Sequence, residues 1–200
     1  MDQIITIGRQ FGAGGRALGK RLSKELGLPY YDKELLSEAA KLSGLSEIYL
    51  EQEDERATNS LLYSLVMGTR TLTGQPTLEE LAWDANRRAV ESVADRGGCI
   101  IVGRCADYVL RERTNLLRLF ILDDLDQRIR HVSERDHITP EQAEQKIRKM
   151  EKMRAAYYNS HTDSRWGAAE SYDLCLNVSR IGRERVVRII LDQVRDRQQG

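Results

Sequence analysis

Residues 6–27 read TIGRQFGAGGRALGKRLSKELG. The apolar run Ile4-Ile5-Thr6-Ile7 precedes this stretch. A helical pattern follows at 17–26, where Leu18, Leu22 and Leu26 fall on one face at i, i+4, i+8. A strand, a glycine-rich turn and a helix in that order form the setting of a phosphate-binding loop, G-x-x-x-x-G-K-[ST]. There the backbone N–H groups face the phosphates and the lysine reaches the β and γ oxygens. Here Gly12, Gly14 and Gly15 occupy the turn, bracketed by Arg9 and Arg16. With Gly12-Ala13-Gly14 closing the cradle, the lysine slot falls on Gly15, followed by Arg16 and Ala17. A literal match one turn later, Gly14-x4-Gly19-Lys20, lies inside the amphipathic helix and places Arg21 where the hydroxyl should stand, so it is rejected.

A glycine-rich turn made only for close packing is the plainer reading. Its place between the first strand and the first helix favours phosphate binding, with residues 12–17 as the donor site. A guanidinium at Arg16 can grip phosphate oxygens in a bidentate manner, though not with the geometry of an ammonium. Without compensation, the lost charge would slow chemistry by about 10²–10³.

Four further apolar runs, at 29–32, 99–103, 116–122 and 172–177, read with 3–8 as five strands. Their near-continuous hydrophobicity suits a parallel sheet covered on both faces. Helical patterns alternate with them. One at 78–96 repeats Leu81, Ala85, Ala89 and Val93, and another at 183–197 carries Val186, Val187, Ile190, Leu191 and Val194. This alternation implies βαβ crossovers and a doubly wound α/β fold. Thr139-Pro140-Glu141-Gln142 reads as a helix start with a capping box. Residues 42–75, which include the acidic cluster at 51–55, and the arginine- and lysine-dense segment 126–166 stand outside the simple alternation. Residues 61–67 suit either a homodimer surface or a flap.

Ligands of open α/β sheets bind at the carboxyl ends of the strands. Arg104, directly after the apolar run 99–103, is therefore a candidate anion ligand in the same crevice, or else the partner of a structural carboxylate such as Asp107. Asp32, at the end of the second run, either orients substrate or a metal-bound water, or N-caps the next helix.

The 200 residues suit one domain. Lys+Arg and Asp+Glu both number 31, so a general nucleic-acid binder is disfavoured, and 6% aromatics argue against a base-stacking surface. Cys99, Cys105 and Cys175 lack the spacing of a metal site or disulfide framework and suit a reducing compartment. No apolar run approaches the ~18 residues of a membrane span, and no secretion signal opens the chain. The expectation is a cytoplasmic protein without a membrane partner.

Together, ITIGRQFGAGGRALGKRL, PYYDKELL, IIVGRCADYVL, LFILDDLDQRIRHVSER and YDLCLNVSRIG resemble, across nearly the whole chain, the nucleoside monophosphate kinases and most closely the cytidylate kinase-like family. The resemblance implies a five-stranded parallel core with helices on both faces. It makes 42–75 the acceptor-binding insertion and 126–166 the lid. ATP with Mg²⁺ would be the donor and a nucleoside monophosphate the acceptor. Arg104 would contact the acceptor phosphate, and lid arginines Arg148 and Arg154, with Arg135, would neutralise the transferring group. A solvated helix face, with Glu141, Glu144 and Glu151 interspersed, is the plainer reading of those lid charges. The chain departs from the cytidylate kinase pattern at Gly15, Ala17, Val102 and Cys105, positions that bear on rate, magnesium geometry and pyrimidine preference. A kinase of a non-nucleotide metabolite and an inactive nucleotide-binding sensor are the alternatives.

Overall fold

The computed structural model describes residues 2–44 and 76–199. Within them β1 (Ile4–Arg9), β2 (Tyr30–Tyr31), β3 (Cys99–Val102), β4 (Leu116–Leu122) and β5 (Leu174–Asn177) form one sheet, ordered β2-β3-β1-β4-β5. Every neighbouring pair is parallel. β1 lies at the centre, pairing Ile4 with Cys99 on one side and with Leu116 on the other. It runs two residues past its last pair with β3, Ile7 with Val102, and so carries Arg9 beyond the rim of that strand.

Alternation along the strands divides the core in two. Ile4, Cys99, Ile101 and Leu116 face α2 (Glu34–Ser43) and α3 (Leu78–Asp95). Ile5, Ile7, Ile100, Val102, Leu117 and Leu119 face α1 (Gly15–Leu26) and α8 (Arg183–Gln199). On α8, Val186, Ile190 and Val194 are fully buried; each such side chain contributes about 1.5–3 kcal/mol of transfer free energy. On α3 the buried stripe is Ala82, Ala85, Ala89 and Val93, whereas Leu81 is exposed, a correction of one position to the expected face. Small residues there let α3 lie close to the sheet.

Short α4 (Ala106–Val109) follows β3, and short α7 (Val178–Ile181) follows β5. Between β4 and β5 stand α5 (Leu125–Asp136) and α6 (Pro140–His161). The capping box expected at α6 is formed: Gln142 N–H donates to Thr139 Oγ1, and Thr139 N–H donates to Gln142 Oε1. Val132, Ala143 and Ile147 give these two helices a small core of their own, closed by Phe11 of the glycine turn. They are the helices expected for a lid. Of the insertion expected at 42–75, the first three residues end and cap α2, and 45–75 lie outside the described residues. Cys99 and Cys105 are buried and Cys175 is exposed, all three as free thiols. No helix among the described residues is long and apolar enough to cross a membrane.

Candidate active site

The glycine turn is fixed to the carboxyl end of the sheet. Gln10 N–H donates to the Ile121 carbonyl at 3.0 Å, and the Gln10 side-chain oxygen accepts from Asp123 N–H at 3.1 Å. Gly14 sits at φ 79°, a left-handed conformation suited to glycine, and is the N-cap of α1. It has no side chain with which to cap the helix. The first intrahelical bond runs from Leu18 N–H to the Gly14 carbonyl at 3.0 Å. The amides of Gly15, Arg16 and Ala17 precede that bond and stand without an intrahelical acceptor at the positive end of the helix dipole. The helix begins at Gly15, two residues before the periodicity indicates. Gly19, by contrast, is buried within α1, with the Tyr30 ring 2.8 Å from where a Cβ would stand, so the rejected match is no loop.

Opposite this turn, between the ends of β1 and β3 and the inner face of α6, lies a cavity bordered by Arg9, Arg16, Arg104 and Arg154. The structure thus brings three of the expected arginines together and adds Arg9. Arg104 follows Gly103 at the end of β3 and occupies a left-handed backbone position, φ 64°. Arg154 donates from Nη1 to the Arg9 carbonyl at 3.1 Å, with its guanidinium carbon 5.3 Å from the centre of the Phe11 ring. Arg135 stands 5.1 Å from the centre of the same ring but does not border the cavity, and its Nε and Nη2 are held by Asp136. Arg148 stays outside. It pairs with Glu144 on its own helix, its side chain is 72% exposed, and it does not border the cavity.

Arg16 borders the cavity with its Nε 2.6 Å from Asp32 Oδ2, the carboxylate nearly buried and the arginine about half exposed. Asp32 does not cap the next helix: Lys33 is the N-cap of α2, with no side-chain bond there. Asp32 N–H donates instead to Glu34 Oε2 at 3.0 Å.

Asp107, one turn beyond Arg104, reaches the cavity wall and accepts the Tyr158 hydroxyl at 2.7 Å. Burial pushes its carboxyl above the usual carboxylate range, against the opposing pull of that hydrogen bond. Below the usual carboxylate pKa the protonated group gives its full stabilisation, which is lost as pH rises through the raised value. Asp107→Asn, which never ionises, should therefore gain melting temperature relative to wild type on going from about pH 4 to about pH 7. A difference constant across that range would show that the carboxyl titrates as an ordinary aspartate.

Met150, Met153, Arg154, Tyr157 and Tyr158 all face the cavity. Their spacing, i, i+3, i+4, i+7, i+8, is a helical stripe legible in the sequence, although only Arg154 stood out there. Among the described residues no group of three or more His, Cys, Asp or Glu is placed to hold a metal ion.

The cytidylate kinase-like family model matches residues 4–180. A cytidylate kinase of Methanobrevibacter smithii is 22% identical over 188 residues, covering 94% of this chain and 96% of that protein. The crystal structure of an uncharacterized protein of Eubacterium ventriosum superposes with TM-score 0.71 at 26% identity, covering 98% of this chain and 99% of the other. A shikimate kinase of Acinetobacter baumannii, solved with shikimate, superposes with TM-score 0.52 at 14% identity, covering 100% and 96%; that likeness concerns the fold. A central strand feeding an uncapped glycine turn, a parallel sheet in 2-3-1-4-5 order and a model match over most of the chain agree: this protein belongs to the cytidylate kinase-like family.

Proposed function

We propose that the protein is an ATP-dependent phosphotransferase that moves the γ-phosphoryl group to a nucleoside monophosphate or a related small acceptor. The observation that carries this reading is the cavity where Arg9, Arg16, Arg104 and Arg154 border the space facing the uncapped start of α1. Catalysis of phosphoryl transfer is largely positioning and charge neutralisation, and that is the chemistry such a cavity offers. Amides of residues 12–17 hold the donor phosphates. Arg104 holds the acceptor, and Arg154, with Arg135 behind it on Phe11, closes the top as lid residues. Arg148 contributes only if α6 moves, since in this conformation it is held on Glu144. Closure of α5 and α6 excludes water from the transfer. Mg²⁺ bound with the donor would supply positive charge to offset that of the phosphates, and would be held by the donor and waters rather than by a cluster of protein carboxylates. Asp32, beside Arg16, is suited to order one of those waters. Cytidylate is the leading acceptor through family membership.

A second reading replaces the nucleotide with a hydroxyl-bearing metabolite. It is favoured by the half-polar wall of Asp107 and Tyr158, which can offer hydrogen bonds to a small acceptor. Titration with Mg-ATP should raise the melting temperature, and a coupled assay over nucleoside monophosphates and small hydroxyl acceptors should show turnover on one class. An unmoved melt would remove the kinase reading. Tight ATP binding without turnover on any acceptor would leave a sensor.

A further inference from the structure

We infer that Arg9 takes the place of the missing lysine, an assignment that rests on the kinase reading above. A Cβ built on Gly15 would lie 2.9 Å from both Cβ and Cγ of Arg9. A Cβ built on Gly103 would collide with Arg9 Nη1 and lie 3.0 Å from its Cζ and 3.3 Å from its Nη2. The arginine therefore leaves the end of β1, lays its aliphatic stem across Gly15 and sets its guanidinium over Gly103, next to Arg104. Two glycines on separate elements make one channel for this side chain.

The same geometry explains why the lysine slot is empty. Gly15 is the first residue of α1 and has no positive φ, so its backbone would accept any residue. Space alone requires glycine, because the stem of Arg9 fills the volume a lysine would enter. A cation from β1 and a cation from α1 exclude one another. The one present passes the first turn of α1 at Gly15 and ends over Gly103, beside the Arg104 position, on the cavity that a phosphoryl group would cross between donor and acceptor. Its planar fork can take two oxygens of that group at once.

Arg9→Met keeps the stem and removes the charge. It should lower turnover by about 10²–10³-fold. It should also erase most of the preference for Mg-ATP over Mg-ADP in calorimetric titration, because only the γ-phosphoryl contact is lost. Arg9→Lys should recover part of both. Gly15→Lys alone should impair the protein through collision with the Arg9 stem, whereas in an Arg9→Ala background it should restore at least about tenfold of the lost turnover. That reciprocal rescue is a result no merely structural role would produce.

Wild-type protein that does not bind Mg-ATP would overturn the kinase reading and this assignment with it. Wild-type binding with an unchanged ATP-to-ADP preference in folded Arg9→Met would overturn the assignment alone. So would a larger turnover loss in Arg16→Ala than in Arg9→Met, or a Gly15→Lys effect that is equally harmful in both backgrounds.

Discussion

Arg104→Ala is expected to lower phosphoryl-transfer turnover by about 10²–10³-fold while leaving Mg-ATP affinity within a few-fold of wild type. The asymmetry follows from placement. The amides proposed to hold the donor belong to the turn after β1, whereas Arg104 belongs to the turn after β3, across the cavity. Three successive residues there, Gly103, Arg104 and Cys105, have φ of 77°, 64° and 52°. For the two that are not glycine this conformation costs about 1–3 kcal/mol each, and it swings the chain abruptly from β3 into α4. A second substitution separates that strain from the charge. Arg104→Gly loses the same side chain but accepts the left-handed backbone, so it should be more stable than Arg104→Ala by about 1 kcal/mol and equally slow. Steady-state kinetics with calorimetric titration of Mg-ATP and thermal melts measure all three quantities. A loss expressed wholly as weaker Mg-ATP binding would move Arg104 from the acceptor side to the donor side.

The sheet and its flanking helices are legible in the sequence because they rest on local pattern. Unbroken apolar runs mark β1, β3 and β4 as strands buried on both faces, and the stripe on α8 announces its packing. The glycine turn is legible for the same reason. Boundaries drift where tertiary contacts intervene: β5 begins at Leu174 rather than 172, since Tyr172 packs on Phe120 and Asp173 is held by Arg118. Arg9 is harder to read. It is an ordinary strand-end arginine until parallel pairing of β1 with β3 brings Gly103 up to its guanidinium, and until the turn brings Gly15 against its stem. Neither contact has a sequence spacing that signals it. The lid arginines mark the opposite limit, because charge density draws attention to a helix without telling its faces apart. Arg148 and Arg154 are six residues apart, and at 3.6 residues per turn they point in different directions. One pairs with Glu144 and the other enters the cavity.

Glu151 illustrates that limit most sharply, and Glu151→Ala should be the most destabilising of these changes. In the sequence it is one of several acids that make α6 resemble a solvated surface. In the fold its Oε1 lies 2.5 Å from Nη1 of Arg128, whose side chain is only 8% exposed. The same Nη1 is 3.5 Å from the Phe11 carbonyl, and Arg128 Nε has no acceptor among the described residues. Arg128 thus joins α5, α6 and the back of the glycine turn, and its Cβ lies 3.1 Å from where a Cβ on Gly12 would stand. Removing the carboxylate leaves a buried guanidinium with one long hydrogen bond. Breaking a buried pair from one side costs about 3–5 kcal/mol. The 23% exposure of Glu151 places the cost at the lower end, a drop in melting temperature of roughly 6–12 °C. Replacing both partners, Arg128→Met with Glu151→Leu, should recover most of that loss, because an apolar pair of similar volume needs no compensation for desolvated charge. Mg-ATP affinity should follow stability through the series, since the helix that carries Arg128 is also the wall behind the glycine turn. If Glu151→Ala melts at the wild-type temperature, water reaches the Arg128 guanidinium, and the ion pair does not hold α6 against the turn.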